Sequence, residues 1–224
     1  MTLVFFKRAS VARRLLFIAA AVCWCATIIN ANACAQELAE APAAMTRTAL
    51  PAEIIAAKVK IRNADGSQKF GFKPKGADCK FYDAAGKELC KISLKEGRLK
   101  VKRGETRLFE AKPKEAKLML LDTKGKELFR FRVKDSKIDF YSGEDRLKRI
   151  VLKEGKWYLE DNADNRLFYC KDDNGKMEVH NPAGETVLYS KELKRPLGLV
   201  FFMIDELTPE QQAASAVFFA DFGF

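Results

Sequence analysis

From Lys58 onward, apolar and polar residues alternate along most of the chain. The clearest stretch runs from Lys117-Leu118-Met119-Leu120-Leu121 through the turn formers Asp122-Thr123-Lys124-Gly125 to Leu128-Phe129-Arg130-Phe131-Arg132-Val133-Lys134. Leu118 and Leu120 share one face, and Phe129, Phe131 and Val133 share the same face of the return arm. Period two on both sides of a turn predicts a half-buried β-hairpin. The design recurs about every 19 to 20 residues, giving seven units. In other units Ile138 and Phe140, Trp157 and Leu159, Met177 and Val179 take the first-arm positions, and Cys90, Ile92 and Leu94 the second-arm positions. Asp65-Gly66, Ala85-Gly86, Arg103-Gly104, Ser142-Gly143 and Ala183-Gly184 supply turns within units, and links such as Lys95-Glu96-Gly97 and Lys153-Glu154-Gly155 join them.

Seven hairpins predict an antiparallel meander of about 12 to 14 strands. A sheet that long should close on itself rather than leave bare edges. A barrel of that size encloses a lumen wider than its own side chains fill, since roughly eight strands already make a filled one. Leu197–Leu207 is apolar on every side and predicts a central helix, with Leu199, Phe201, Phe202 and Ile204 as core residues. At 1.5 Å per residue it would span roughly 16 Å, about the length of a five-residue strand. Thr208-Pro209-Glu210-Gln211 is a helix start, and a second helix over 209–222 is expected to cap the barrel mouth. The fold class is therefore mainly β, a closed antiparallel meander around a buried C-terminal helix.

The segment before the barrel divides in two. Residues 1–35 have the charged, apolar, small order of a secretory signal: Lys7, Arg8, Arg13 and Arg14, then Leu15 to Ile29, then Ala31-Asn32-Ala33-Cys34-Ala35. Cleavage before Gln36 is the expected frame. Cleavage before Cys34, with lipoprotein anchoring through that residue, is the alternative, and an uncleaved membrane anchor is a further one. Residues 36–57 read as an Ala-rich linker, and 58–224 as the domain. Export to the periplasm or cell envelope follows. An oxidising compartment would permit a disulfide between Cys79 and Cys90, which would lie directly opposite if their hairpin turned between Ala84 and Ala85. The alternative is that both are small buried side chains.

Charge modifies this picture. The full chain carries +10, and loss of residues 1–35 removes four cations and no acids, leaving +6. A moderately basic exported protein suits an anionic membrane surface or an acidic envelope polymer rather than nucleic acid. The candidate ligand-binding residues are Lys100, Lys102, Lys117, Lys134, Lys137, Lys153 and Lys156, which line or end the strands. Glu88, Glu96, Glu115, Glu127 and Glu154 interrupt these rows.

The lysine-rich hairpins, followed by an apolar helix ending in Ile204-Asp205-Glu206-Leu207, resemble the tubby C-terminal-like superfamily, which includes the LURP-one-related proteins and the phospholipid scramblases. The resemblance covers residues 58–207. It implies a barrel of about twelve strands around a buried hydrophobic helix. No phosphoinositide-binding or calcium-binding residue of those families matches a position here.

Catalytic chemistry is sparse. His180 is the only histidine, and no nucleophile–base set has a supporting spacing. No phosphate loop, dinucleotide fingerprint or zinc-spaced cysteine set occurs, so no cofactor or metal is expected. Asp161, Asp164, Asp172 and Asp173 read as acidic turn residues, not an EF-hand loop. The expectation is a monomeric, non-enzymatic envelope barrel that binds anionic lipid or acidic polymer, with a structural or protein-interaction barrel as the alternative.

Overall fold

In a computed structural model, the described residues are Pro51, Ile54 and 57–220. The signal segment and most of the linker lie outside them. Fourteen strands form one closed antiparallel barrel in strict sequence order. They are β1 (Val59–Asn63), β2 (Gln68–Lys75), β3 (Asp78–Asp83), β4 (Glu88–Lys95), β5 (Arg98–Arg103), β6 (Thr106–Lys114) and β7 (Lys117–Leu121). The second half comprises β8 (Glu127–Lys134), β9 (Lys137–Ser142), β10 (Asp145–Lys153), β11 (Lys156–Asp161), β12 (Arg166–Asp173), β13 (Lys176–His180) and β14 (Thr186–Ser190). Two short helices follow, α1 (Leu197–Val200) and α2 (Pro209–Phe219), with a 3₁₀ turn over Phe201–Met203 between them.

The two rims are built from different turns. At the near rim, where β1 begins and β14 ends, two-residue tips join the strands, as in Glu96-Gly97 between Lys95 and Arg98. Every hairpin that turns at this rim keeps its register. At the far rim five of the seven loops are longer and begin with Asp or Asn. Asp83 N donates to Lys87 O, Gly86 N donates to Asp83 O, and the Asp83 carboxylate accepts from Lys87 N. Asp122, Asp161 and Asn181 organise their loops in the same way. All seven far-rim hairpins carry a register shift. Such bulges bend a sheet and increase its twist, which closure requires.

That turn chemistry moves the cysteines out of their expected register. The four-residue turn and its bulge place Phe81 opposite Cys90 and Cys79 opposite Ile92, so the two cysteines are offset rather than directly opposed. Both are buried reduced thiols. Burial, with a smaller effect of the Asp78 charge, pushes the Cys79 thiol up to about 12.

The lumen holds both C-terminal helices, and here the structure corrects the expected layout. The apolar segment is not one helix to Leu207: α1 passes into the 3₁₀ turn, and Ile204 is already extended (φ −92°, ψ 99°). The chain reaches the far rim there, and α2 begins at Thr208 with the expected capping box, Thr208 accepting from Gln211 N and the Gln211 side chain from Thr208 N. Instead of capping a mouth, α2 runs back inside, and every residue from Glu210 to Phe219 is buried. Phe219 stacks on Phe201 at 4.9 Å and meets Phe131 of β8 at 5.8 Å. Phe202 packs on the opposite side against Phe70, Phe72 and Phe81. Small residues let the pair approach: a Cβ on Gly198 would lie 3.6 Å from Ala216 O. Ile54, in the stretch read as linker, also belongs to this core.

Geometry explains why two segments are needed. Fourteen strands spaced ~4.8 Å apart and tilted by roughly 40° give a backbone radius of ~14 Å. A helix about 10–12 Å across cannot fill that space alone. A barrel of about eleven strands already suits a single central helix.

The seam between β1 and β14 is the weakest pairing, with only Arg62 opposite Tyr189 and Asn63 opposite Leu188. Glu192 straps it. Its carboxylate accepts from Arg62 at 2.9 and 3.2 Å and from the Lys60 backbone N–H at 3.3 Å. Burial alone would raise the Glu192 pKa, but the Arg62 and Lys60 hydrogen bonds outweigh it and hold the carboxyl below its usual range. A depressed carboxylate stabilises the fold above its unfolded pKa, and that stability is lost as pH falls. Glu192→Gln should therefore be less stable than the wild type near neutrality, and the difference should shrink below roughly pH 4. Urea denaturation across pH measures this. A difference that grows in acid would contradict the strap.

Candidate functional site

The wall sorts its residues by face. Phenylalanines point into the lumen, and most lysines and arginines and all five tyrosines point out. Each tyrosine lies beneath a cation: Lys73 over Tyr82 and Lys176 over Tyr189 at 4.1 Å, Arg166 over Tyr158 at 4.5 Å, Arg130 over Tyr141 at 5.3 Å and Lys156 over Tyr169 at 5.6 Å. A charged exterior around an apolar interior is the inverse of a membrane-spanning barrel. His180 is also built into the wall. It stacks on Tyr169 at 4.8 Å, with Nδ1 3.1 Å from Gly184 O and Nε2 3.1 Å from the Glu178 carboxylate.

The near rim gathers cations along one arc. Four consecutive tips each set two cations directly opposite one another: Lys95 and Arg98, Lys114 and Lys117, Lys134 and Lys137, Lys153 and Lys156. The next tip on either side pairs opposite charges instead, Lys75 with Asp78 and Asp173 with Lys176. The cation pairs thus form a continuous arc from β4 to β11, away from the seam. Like charges directly opposite one another are destabilising. Each tip also carries one exposed acid, Glu96, Glu115, Asp135 or Glu154, in a left-handed conformation with φ between 51° and 53°. The far-rim loops carry an acidic excess, with Asp65, Glu105, Asp122, Glu144, Asp164 and Glu185 against Lys87, Lys124 and Lys126, and Asp205 beside them.

Five of the seven lysines expected from sequence, Lys117, Lys134, Lys137, Lys153 and Lys156, lie on the basic arc. Lys100 and Lys102 do not. They face out from β5, where Lys100 lies opposite Glu110 and 3.7 Å from Glu96, and Lys102 lies opposite Lys91 and Arg107. Lys95, Arg98 and Lys114 complete the arc and were missed. The signal that finds them is the repeated cation-acid-x-cation tip.

A second feature sits at the far rim. The register shifts leave one bulge residue on each return strand: Lys69, Leu89, Leu108, Leu128, Leu147, Leu167 and Val187. The following residues, Phe70, Cys90, Phe109, Phe129, Lys148, Phe168 and Leu188, occupy the inward position. Each set has one exception to its apolar rule, Lys69 in the first and Lys148 in the second. Both line an open cleft of ≈ 450 Å³, together with Leu167, Phe168, Phe202, Met203, Asp205 and Gln212. Aligning the seven return arms on the bulge would have exposed both lysines in the sequence.

The two differ in their partners. The Lys148 side chain is 9% exposed and donates to Asp205 at 2.5 Å and to both Glu206 oxygens at 2.5 and 2.6 Å. Burial pulls its pKa down, but these carboxylates more than reverse that and leave it raised. Lys69 has no ion pair among the described residues. It is half-buried, its amine lies 5.7 Å from the Phe70 ring, and burial lowers its pKa.

No protein-family model matches the chain, and no curated protein does. One solved structure is similar: a candidate exported protein with a YmcC-like fold from Bacteroides fragilis, at 14% identity over 59% of this chain and 91% of that one, with a TM-score of 0.27. The fourteen strands and paired lumenal helices differ from the roughly twelve-strand, one-helix barrel that the tubby-like resemblance implies.

Because six sister repeats carry an apolar residue where Lys148 stands, Lys148→Met should fold to within about 1.5 kcal/mol of the wild type. Thermal and urea unfolding measure this. A loss of about 3 kcal/mol or more, as expected for a broken buried ion pair, would show that the fold requires the lysine.

Proposed function

We propose that this chain is a non-enzymatic, exported envelope protein that docks on an anionic lipid surface through its near rim. The observation that carries the reading is the continuous arc of four like-charged tips. Adjacent tips lie two strands apart, or roughly 10 Å, so the arc covers about 30 Å of rim. Each lysine near an anionic bilayer contributes about 1 kcal/mol, and the acid on each tip reduces this, so several tips must act together. Strand β1 begins at this same rim. A chain tethered through its N-terminal segment would therefore present the basic arc to the membrane and the acidic rim away from it. Export rests on the charged, apolar, small order of residues 1–35. Kinship with the tubby-like barrels belongs to the proposal too, on the repeat rhythm and the lumenal apolar segment.

Co-sedimentation of the full chain with vesicles tests the docking. Binding is expected to phosphatidylglycerol-containing vesicles but not to pure phosphatidylcholine, and it should weaken as salt rises. Lys134→Gln with Lys137→Gln should lower the partition coefficient roughly tenfold, and Lys100→Gln with Lys102→Gln should lower it less. Binding that is absent, indifferent to salt, or equal on neutral vesicles would overturn the proposal in favour of a structural or protein-interaction barrel.

A further inference from the structure

The far-rim cleft joins two independent oddities. It is an incompletely filled part of the lumen mouth, and it gathers the only two residues that break the apolar rule at fourteen repeat-equivalent positions. Lys148 is accounted for by the chain itself, since Asp205 and Glu206 neutralise it. Lys69 is not. A half-buried ammonium without an anionic partner is costly. The sister repeats show that a leucine or valine serves the fold at this place.

We propose that the cleft binds a single-chain amphiphile with one negative charge, a long-chain carboxylate, with its head group against Lys69 and its tail over Leu167, Phe168 and Met203. Several features fit. The volume of ≈ 450 Å³ falls within the usual range of small-molecule sites, about 300–1,000 Å³. The lining joins four apolar side chains, Leu167, Phe168, Phe202 and Met203, to four polar ones, Lys69, Lys148, Asp205 and Gln212, the amphipathic mixture a charged head with an apolar tail requires. Asp205, 85% exposed at the edge, disfavours a second negative charge and so selects a carboxylate over a doubly charged phosphate. The acidic loops of the far rim sit on hairpin tips, where salt screens them beyond about 8 Å. The cleft and the basic arc lie on opposite rims, so this site stands or falls apart from membrane docking.

Isothermal titration of the full chain with sodium dodecanoate, below its micelle concentration, tests the site. Saturable binding at one site per chain is expected. Lys69→Gln and Lys69→Leu should each weaken it about tenfold or more, with unchanged thermal unfolding, and Lys69→Arg should retain it. Leu167→Glu should also weaken it, whereas the near-rim pair Lys134→Gln with Lys137→Gln should bind as the wild type does. Acetate, which lacks a tail, and dodecyl maltoside, which lacks a charge, should fail to compete. Absence of saturable binding, equal affinity in the Lys69 variants, or equal competition by the neutral amphiphile would overturn the proposal.

Discussion

Closure of fourteen strands creates a lumen that the strands cannot fill, and the rest of the structure answers that constraint. Inward phenylalanines from opposite sides of the wall converge on α1, the 3₁₀ turn and α2. Phe202 meets β2 and β3 on one side, and Phe201 and Phe219 meet β8 on the other. Neither partner can bury its apolar surface alone. A hairpin meander without a filled lumen would leave one face of every strand wet, and α1, four residues long, is far too short to persist by itself. Burial of the paired segments therefore also holds the weak β1–β14 seam in place, with Glu192 as its polar strap.

The same construction makes the rims chemically different. Two-residue tips at the near rim keep register and bring the last residue of one strand opposite the first of the next, which is how lysines become paired. Longer loops and bulges at the far rim shift register and add a ring of side chains around the mouth. Surface chemistry is thus divided by turn type: paired cations where the hairpins are tight, and a cleft holding one cation without an ion pair among the described residues where they are bulged.

Most of the wall was legible in the sequence, because period two and turn residues act locally. Leu118, Phe131, Ile138 and Phe140 face inward as their alternation required. The capping box at Thr208 was legible for the same reason. What escaped depended on partners distant in sequence. The offset between Cys79 and Cys90 comes from a hydrogen-bonded loop one bulge longer than a two-residue turn. The return of α2 into the lumen was hidden because Ala213, Ala214 and Ala216 are small and apolar without favouring one face, and only the width of a fourteen-stranded barrel demands a second filler. Lys117, Lys134, Lys137, Lys153 and Lys156 were recognisable as basic strand ends, but their pairing across tips needed the register. Lys69 and Lys148 stand apart from the other lysines only once the bulges give each a set of equivalent positions.

Native-state hydrogen exchange tests the central claim most directly. If α1, the 3₁₀ turn and α2 are the filling around which the barrel closes, the amides of Phe202, Val217, Phe218 and Phe219 should exchange only with global unfolding, at the same free energy as inward strand residues such as Phe131 and Phe140. Fast exchange across 197–219 while the strands stay protected would mean that the barrel closes without its helices, and would contradict the account.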